Sequence, residues 1–283
     1  MVCLAVVATP SSGDGSDPSP LHTTALGDTG SLVVFAHGLF GQGRNWTQIG
    51  KALADPHRSD RHRVLLVDLP HHGRSGWEDE FDYVGIADRV AGLLSPEDPV
   101  ALVGHSLGGK VAMVLALRHP DLVERLCVVD VSPVAYDHLS QFEGYIAAMR
   151  GLDLRSLSRR DDADAALADA VPDPTVRGFL LQNLRRDGDE WRWQVNLDVL
   201  GADLAEIGGW PEDRLAGIAP YRGPVLWVAG GRSDYVTPAY AAAMDRWFPA
   251  NRLVTIKQAG HWVHSEQPEV FLEVLRRFLD AHA

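Results

Sequence analysis

The chain has 283 residues, of which 46% are hydrophobic, and it carries a formal net charge of −12 at pH 7. A chain of this length and composition can bury a large core, which excludes a disordered protein. The negative charge disfavours nucleic acid or an anionic membrane surface as a partner, because phosphate groups would be repelled. We therefore expect a globular protein that acts on a small molecule.

Cysteine usage and hydropathy narrow the class further. Cys3 and Cys127 are the two cysteines, and their wide separation suggests neither a disulfide framework nor a thiolate metal site. No apolar run approaches the roughly 20 residues that a membrane span needs. The sequence therefore predicts a soluble protein with no membrane partner.

The first 20 residues are predicted to lie outside the fold. Met1–Ala8 is apolar but lacks the basic segment that opens a signal peptide, and a run rich in Pro, Ser, Gly and Asp follows it. Such a composition cannot bury enough surface to become ordered. We expect residues 1–20 to be a flexible extension, or to reflect a start codon assigned too early, and we expect a cytoplasmic protein.

From residue 21 onward, short β-branched runs alternate with longer segments that have helical spacing of apolar residues. This alternation is typical of βαβ units and predicts an α/β fold with a mostly parallel, doubly wound sheet. Strands are predicted at Ser31–Ala36, Arg63–Asp68, Pro99–Gly104, Leu126–Val131, Pro224–Ala229 and Arg252–Lys257. Helices are predicted at Trp46–Ala54, Ala87–Leu94, Leu107–Arg118, Pro238–Phe248 and Pro268–Ala281.

The alternation is interrupted between Val131 and Pro224, where no strand is convincing. Ser140–Arg150, Asp161–Ala170 and Pro174–Arg185 have helical spacing instead. We interpret residues 133–222 as a helical cap inserted into an α/β core formed by residues 21–132 and 223–283.

The pentapeptide Gly104-His105-Ser106-Leu107-Gly108 lies between a predicted strand and a predicted helix. At such a turn the glycines permit a tight, strained backbone that exposes the serine oxygen, so Ser106 is the predicted nucleophile. The amide of Leu107 lies at the positive end of the following helix and is a predicted oxyanion donor.

A second glycine-containing turn, His37-Gly38-Leu39-Phe40-Gly41, follows the first long strand. Acyl-transfer enzymes of this architecture draw their second oxyanion donor from this position. Leu39 is the favoured donor and Phe40 the alternative; losing one donor typically costs about 10²-fold or more in rate. His37 and His105, beside the two turns, are candidate substrate contacts.

The segment Gly260–Glu266 follows the last predicted strand and supplies the histidine. His261 is the predicted base, because it comes first after the strand and follows a glycine. We expect His264 to pack or bond locally. A zinc site on these two histidines is disfavoured, since no third ligand is nearby in the sequence.

The acid that orients His261 has two candidates. Asp234 is favoured because it lies in the loop after a strand and gives the chain order Ser, Asp, His expected for this fold. Asp130, at the end of the preceding strand, is the alternative. The bond from either carboxylate would fix the histidine tautomer.

Together these motifs resemble the α/β-hydrolase superfamily, and in particular its bacterial branch of short-chain acyl esterases and thioesterases, from about Leu21 to the C-terminus. Further matching strings are Val67–Ser75, Asn45-Trp46, Gly109–Ala112 and Ser132–Tyr136. The resemblance implies an acyl-serine intermediate, no cofactor and a substrate pocket between sheet and cap. It also leaves the acid open, because members carry an acidic or hydroxyl residue at both candidate positions.

One residue departs from the wider superfamily: His71 stands where relatives often have glycine, on a loop expected to be exposed and away from the chemistry. A metal site at His71–His72 is disfavoured, because no carboxylate is suitably spaced. The serine at position 106 also disfavours the aspartate-dependent dehalogenases and epoxide hydrolases of this fold.

The sequence thus predicts a serine hydrolase of small esters or thioesters. Lactonase, C–C bond hydrolase and perhydrolase activity are alternatives with the same motifs, and a ligand-binding protein that lost turnover is another. Aromatic and apolar cap residues that line the pocket, or alternatively only hold the cap to the sheet, are Trp191, Trp193, Phe142, Phe179 and Leu180.

Overall fold

The computed structural model describes residues 20–137 and 139–281, so the predicted extension at residues 1–20 lies outside them, except for Pro20. A central sheet of seven strands organises these residues. The strands are β1 (Thr23–Leu26), β2 (Leu32–Ala36), β3 (Arg63–Val67), β4 (Val100–His105), β5 (Val123–Val129), β8 (Val225–Gly230) and β9 (Asn251–Ile256). Their order is β1-β3-β2-β4-β5-β8-β9, and only the β1–β3 pair is antiparallel.

The central strands are mostly buried, as expected where helices cover both faces of a parallel sheet. All six residues of β4 and of β8 are buried. The predicted strands agree with these positions to within a few residues, and the predicted α/β class is confirmed. Strand β1 was not predicted, because its four residues are partly exposed at the edge of the sheet.

Helices pack on both faces of the sheet. They are α1 (Thr47–Leu53), α2 (Tyr83–Ala91), α3 (Leu107–Arg118), α9 (Ala241–Trp247), α10 (Val263–Glu266) and α11 (Pro268–Leu279). The apolar residues of α2, α3 and α9 belong to one hydrophobic cluster, and those of α1 and α11 belong to a second cluster. Helix α2 begins earlier than predicted because the Asp82 carboxylate accepts hydrogen bonds from the Val84 and Gly85 amides.

In the described residues between β5 and β8, five α-helices and a hairpin are present. The helices are α4 (Ser140–Arg150), α5 (Arg160–Leu167), α6 (Pro174–Leu181), α7 (Leu197–Ala202) and α8 (Leu204–Gly208), and the hairpin consists of β6 (Leu184–Asp187) and β7 (Glu190–Trp193). The hairpin was missed because its strands are rich in charged residues, although Gly188-Asp189 is a recognised two-residue turn signal. The division into core and cap at residues 133 and 222 stays a prediction. Below, the word cap denotes the chain segment between β5 and β8.

Within the described ranges, the helices are all too short or too polar to cross a bilayer.

A close backbone approach at Gly108 holds the start of α3 against the end of β2. A Cβ at this position would lie 2.4 Å from the His37 carbonyl oxygen, which is backbone and cannot move aside. We expect Gly108→Ala to lower the free energy of unfolding by about 1–3 kcal/mol. Urea denaturation measures this change.

Gly144→Ala provides the matched control. Gly144 is an exposed residue of α4 with open space around its Cα, so alanine should raise the free energy of unfolding by up to about 1 kcal/mol. Equal effects of the two substitutions would contradict the close packing at Gly108.

Candidate active site

Ser106 lies at the turn between β4 and α3 with a strained backbone. Its φ of +52° and ψ of −121° are unusual for a residue with a side chain. The turn closes tightly because Gly104 and Gly108 lack side chains: a Cβ on Gly104 would lie 2.2 Å from the Gly108 carbonyl oxygen. Such strain, retained at a strand-to-helix turn, is the geometry that presents a nucleophile.

Three side chains from three strand ends form one hydrogen-bonded line. The Ser106 hydroxyl lies 3.0 Å from Nε2 of His261, and Nδ1 of His261 lies 2.8 Å from Oδ2 of Asp130. Asp130 follows β5, and His261 follows β9. The structure therefore brings together the predicted serine, the predicted histidine and one of the two candidate acids.

The Asp130 carboxylate is fully buried, and donors surround it. Besides His261, the Gly230 amide donates to Oδ1 at 2.8 Å and the Ser233 hydroxyl donates to Oδ2 at 2.5 Å. These bonds offset the loss of hydration that burial imposes on a charged group. They also fix the orientation of the carboxylate toward the imidazole.

The preference for Asp234 is wrong. Asp234 is exposed, and the histidine nitrogen that it was expected to bind is occupied by Asp130. The direction of the side chains explains the difference: Asp130 faces His261 from the end of β5, whereas the loop after β8 approaches the site with Asp234 facing outward. From that loop, Ser233 reaches the site instead, and it supports Asp130.

The amides of Leu39 and Leu107 have no hydrogen-bond acceptor among the described residues, so both are available to a ligand. The loops that carry them are in contact, since a Cβ on Gly38 would lie 3.2 Å from Cβ of Ser106. The alternative donor, the Phe40 amide, is already bonded to Nε2 of His72 at 3.2 Å. Phe40 is therefore excluded as a free donor.

The Phe40 carbonyl ties this loop to the cap. It accepts hydrogen bonds from Nδ2 of Asn183 at 2.8 Å and from Nε2 of Gln182 at 3.1 Å. Nε2 of Gln42 in turn donates to Oδ1 of Asn183 at 2.8 Å. Side chains just after α6 therefore hold the loop that carries Leu39.

The two histidines proposed as substrate contacts differ in position. His37 is buried, and both ring nitrogens are occupied: Nδ1 donates to the Gly38 carbonyl and Nε2 accepts from the Leu69 amide. It borders neither cavity at Ser106, so the prediction for His37 is wrong. His105 borders one of them, and its Nε2 donates to the His261 carbonyl at 2.9 Å.

His71 and His72 are buried rather than exposed. His71 adopts φ +67°, a backbone conformation that favours glycine. This conformation gives a physical reason for the glycine that relatives often carry at this position. His72 bonds the Pro70 carbonyl as well as the Phe40 amide, and burial lowers its pKa well below the ordinary value. This loop thus supports the Leu39 turn. In the described part of the chain, no group of three or more His, Cys, Asp or Glu side chains could hold a metal ion.

Two narrow cavities meet at Ser106, with room for water of only about 30 Å³ and 20 Å³. Phe142 borders both cavities, and Phe179 and Leu180 border the second. The first cavity is otherwise lined mainly by Leu39, Tyr83, Val131, Tyr136, Leu204 and Ile207. It also contains Lys110, which sequence reasoning did not select.

Trp191 and Trp193 border neither cavity, so their prediction as pocket residues is wrong. The indole of Trp191 donates to the Leu157 carbonyl, and that of Trp193 donates to the Met149 carbonyl. Both rings pack against a small apolar cluster within the cap. They stabilise the cap itself.

His264 packs locally, as expected. Its ring stacks on Trp46 with a centroid distance of 4.0 Å, and burial lowers its pKa to about 3. Below pH 6.5 the unfolded chain takes up a proton at this residue and the folded chain does not. The free energy of unfolding therefore falls as the pH falls from about 6.5 toward 3.

We expect His264→Phe to make this decline less steep by up to about 1.4 kcal/mol per pH unit. Urea denaturation between pH 4.5 and 7.5 measures the slope. His57→Gln, at an exposed loop position, should keep the parent slope. Equal slopes for His264→Phe and the parent would contradict a neutral, buried His264.

Comparisons with known proteins agree with this geometry. A family model described as the alpha/beta hydrolase fold matches residues 31–268. The sn-1-specific diacylglycerol lipase ABHD11 of Mus musculus is 40% identical over 270 residues, which cover 93% of this chain and 86% of that protein. Esterase YbfF of Escherichia coli (strain K12) is 31% identical over 252 residues, covering 88% and 93%.

A solved structure extends the likeness to three dimensions. The marine microorganism esterase superposes with a TM-score of 0.85 at 31% identity, covering 92% of this chain and 99% of that one. The bacterial relative is consistent with the esterase branch indicated by the sequence motifs. From its sequence, its sheet and its relatives, this chain belongs to the α/β-hydrolase superfamily.

Proposed function

We propose that this chain, a serine hydrolase of ester bonds, acts on small carboxylic esters or thioesters through an acyl intermediate on Ser106. The observation that carries the proposal is the continuous hydrogen-bonded line from Ser106 through His261 to Asp130. Relatives named as esterases and lipases support the same chemistry.

The first half of the reaction forms the acyl intermediate. Nε2 of His261 accepts the Ser106 proton while the serine oxygen bonds to the acyl carbon, and Asp130 stabilises the imidazolium that results. The free amides of Leu39 and Leu107 donate to the oxygen that becomes negative. His261 then gives its proton to the departing alcohol or thiol.

The second half releases the acid. Water enters in place of the alcohol, His261 removes a proton from it, and its oxygen attacks the acyl carbon. The Ser106 oxygen leaves as the bond to the acyl carbon breaks, and it regains its proton from His261. The chain's own residues supply all of these steps, so no cofactor is required.

The narrowness of the two cavities favours short acyl groups. Phe142, Phe179 and Leu180 from the cap face the cleft and would limit the length of a hydrocarbon chain. Lactones and other activated acyl compounds that fit the same cleft remain chemical alternatives. A cytoplasmic location stays a prediction from the sequence.

The two acids can be separated by substitution. We expect Asp130→Asn to lower kcat for p-nitrophenyl acetate by a factor on the order of 10⁴, because the amide no longer holds the required tautomer of His261. Asp234→Asn, at an exposed position, should stay within about twofold of the parent. The reverse ranking would contradict the role proposed for Asp130.

A fluorophosphonate probe tests the nucleophile directly. The probe should label the parent at Ser106, fail to label Ser106→Ala, and label His261→Ala at a rate at least about 10²-fold lower, because the base is absent. Peptide mass spectrometry locates the adduct. Ser265→Ala, at an exposed position that borders neither cavity at Ser106, is the matched control and should be labelled like the parent.

Absence of labelling in the folded parent would instead favour a ligand-binding protein without turnover. Rates for p-nitrophenyl esters of increasing acyl length, measured beside acyl thioesters and lactones, then separate the hydrolase alternatives. Loss of rate beyond short acyl groups is expected from the two narrow cavities. A preference for long acyl groups would contradict this part of the proposal.

A further inference from the structure

Lys110 is a buried cation that borders the first cavity at Ser106. Its side chain is 1% exposed, and it lies on α3 one helical turn after the proposed nucleophile. Ser106 and Lys110 both line this cavity, as do the residues around the ammonium, Tyr83, Tyr136 and Gly208. The cavity therefore runs from the serine hydroxyl to the ammonium group.

The ammonium is held by the cap. Nζ donates to the Gly208 carbonyl at 2.7 Å and to the Gly209 carbonyl at 2.5 Å, at the end of α8. It also lies 4.8 Å from the centre of the Tyr136 ring and 5.8 Å from that of Tyr83. These contacts fix the charge at one end of the cavity.

No carboxylate of the described residues forms an ion pair with Lys110. An ammonium has three N–H donors, and the two carbonyls account for two of them. Buried charges in proteins are normally paired, since an unpaired charge loses its hydration without compensation. Of the described residues around the two cavities, Lys110 is the only lysine or arginine. A negative group on a ligand would supply the missing partner.

We infer that Lys110 is a specificity-determining residue that selects acyl groups with a carboxylate at their far end, such as half-esters of short dicarboxylic acids. This inference rests on the proposed function, because the acyl carbon must lie at Ser106. The acyl chain crosses the apolar middle of the cavity, past Leu107 and Val131, and its carboxylate binds Nζ. An uncharged chain of equal length leaves the ammonium unpaired.

Two esters of equal acyl length test the inference. Monoethyl succinate and ethyl butyrate differ in whether the acyl chain ends in a carboxylate or a methyl group, and chromatography of released ethanol gives kcat/KM for each. The parent should prefer monoethyl succinate. Lys110→Met, whose unbranched side chain is one atom shorter and uncharged, should lower the ratio of the two values by about tenfold or more.

Lys51→Met is the matched control, because Lys51 is exposed on α1 and borders neither cavity at Ser106. It should leave both rates and their ratio unchanged. An unchanged ratio in folded Lys110→Met, with ethyl butyrate still hydrolysed, would overturn the inference while leaving the proposed function intact. Failure of the parent to hydrolyse either ester and to react with the fluorophosphonate would instead overturn the proposed function.

A measurement on the parent protein covers the case in which Lys110→Met does not fold. Burial lowers the pKa of Lys110 to about 7. The neighbouring groups stay neutral near this pH: burial raises the pKa of Tyr83 and Tyr136, raises that of Tyr235 to about 12, and lowers that of His105. Glu206, on α8, is the nearby carboxylate that acts on Tyr83.

The preference for monoethyl succinate should therefore decline as the pH rises through and above about 7, because the ammonium loses its proton. Any effect of pH on the shared catalytic steps changes kcat/KM for both esters equally, so it cancels in the ratio of the two values. A ratio that stays constant from pH 6 to pH 9 would contradict a charged contact with Lys110.

Discussion

The fully buried carboxylate of Asp130 is the constraint on which the candidate site depends. A negative charge in this position is tolerated only because an amide, a hydroxyl and an imidazole donate to it; the amide and hydroxyl come from the end of β8 and the loop after it, and the imidazole from the segment after β9. The chain segments after β5, β8 and β9 must therefore converge. Their convergence brings His261 to the serine.

The same edge is organised by backbone conformations that side chains rarely adopt. Phe40, His71, Ser106 and Asp130 all have positive φ, and all four lie on loops around the site. Strain of this kind persists only where the surrounding packing fixes it. Here the buried imidazoles of His37 and His72 bond backbone groups on neighbouring loops, so they hold the strained turns in place.

Sequence patterns were sufficient for the features that depend on local chemistry. The buried strands β4 and β8 are continuous apolar runs, and Ser106 lies between a strand and a helix that each have a clear pattern. His261 followed from its position after the last strand. These features depend on residues that are close together in the sequence, so sequence patterns are enough to predict them.

Features that depend on contacts distant in the chain were not predictable in the same way. The choice between Asp130 and Asp234 is decided by which of the two carboxylates faces His261 where the loops converge, and the sequence does not give that orientation. Hairpin β6–β7 is stabilised by the Trp191 and Trp193 indoles bonding carbonyls more than 30 residues away. The burial of His71 and the position of Lys110 against the end of α8 likewise arise only on folding.

Because Gln182 and Asn183 bond the Phe40 carbonyl, the cap supports the turn that carries Leu39, one of the two proposed oxyanion donors. A lid that swung away as one body would break those bonds and release the turn that carries Leu39. Access for larger substrates must therefore come from movement elsewhere in the cap, where no such tether joins it to that turn. Natural variation in substrate range is then expected to concentrate in α4, while the chain just after α6 stays fixed.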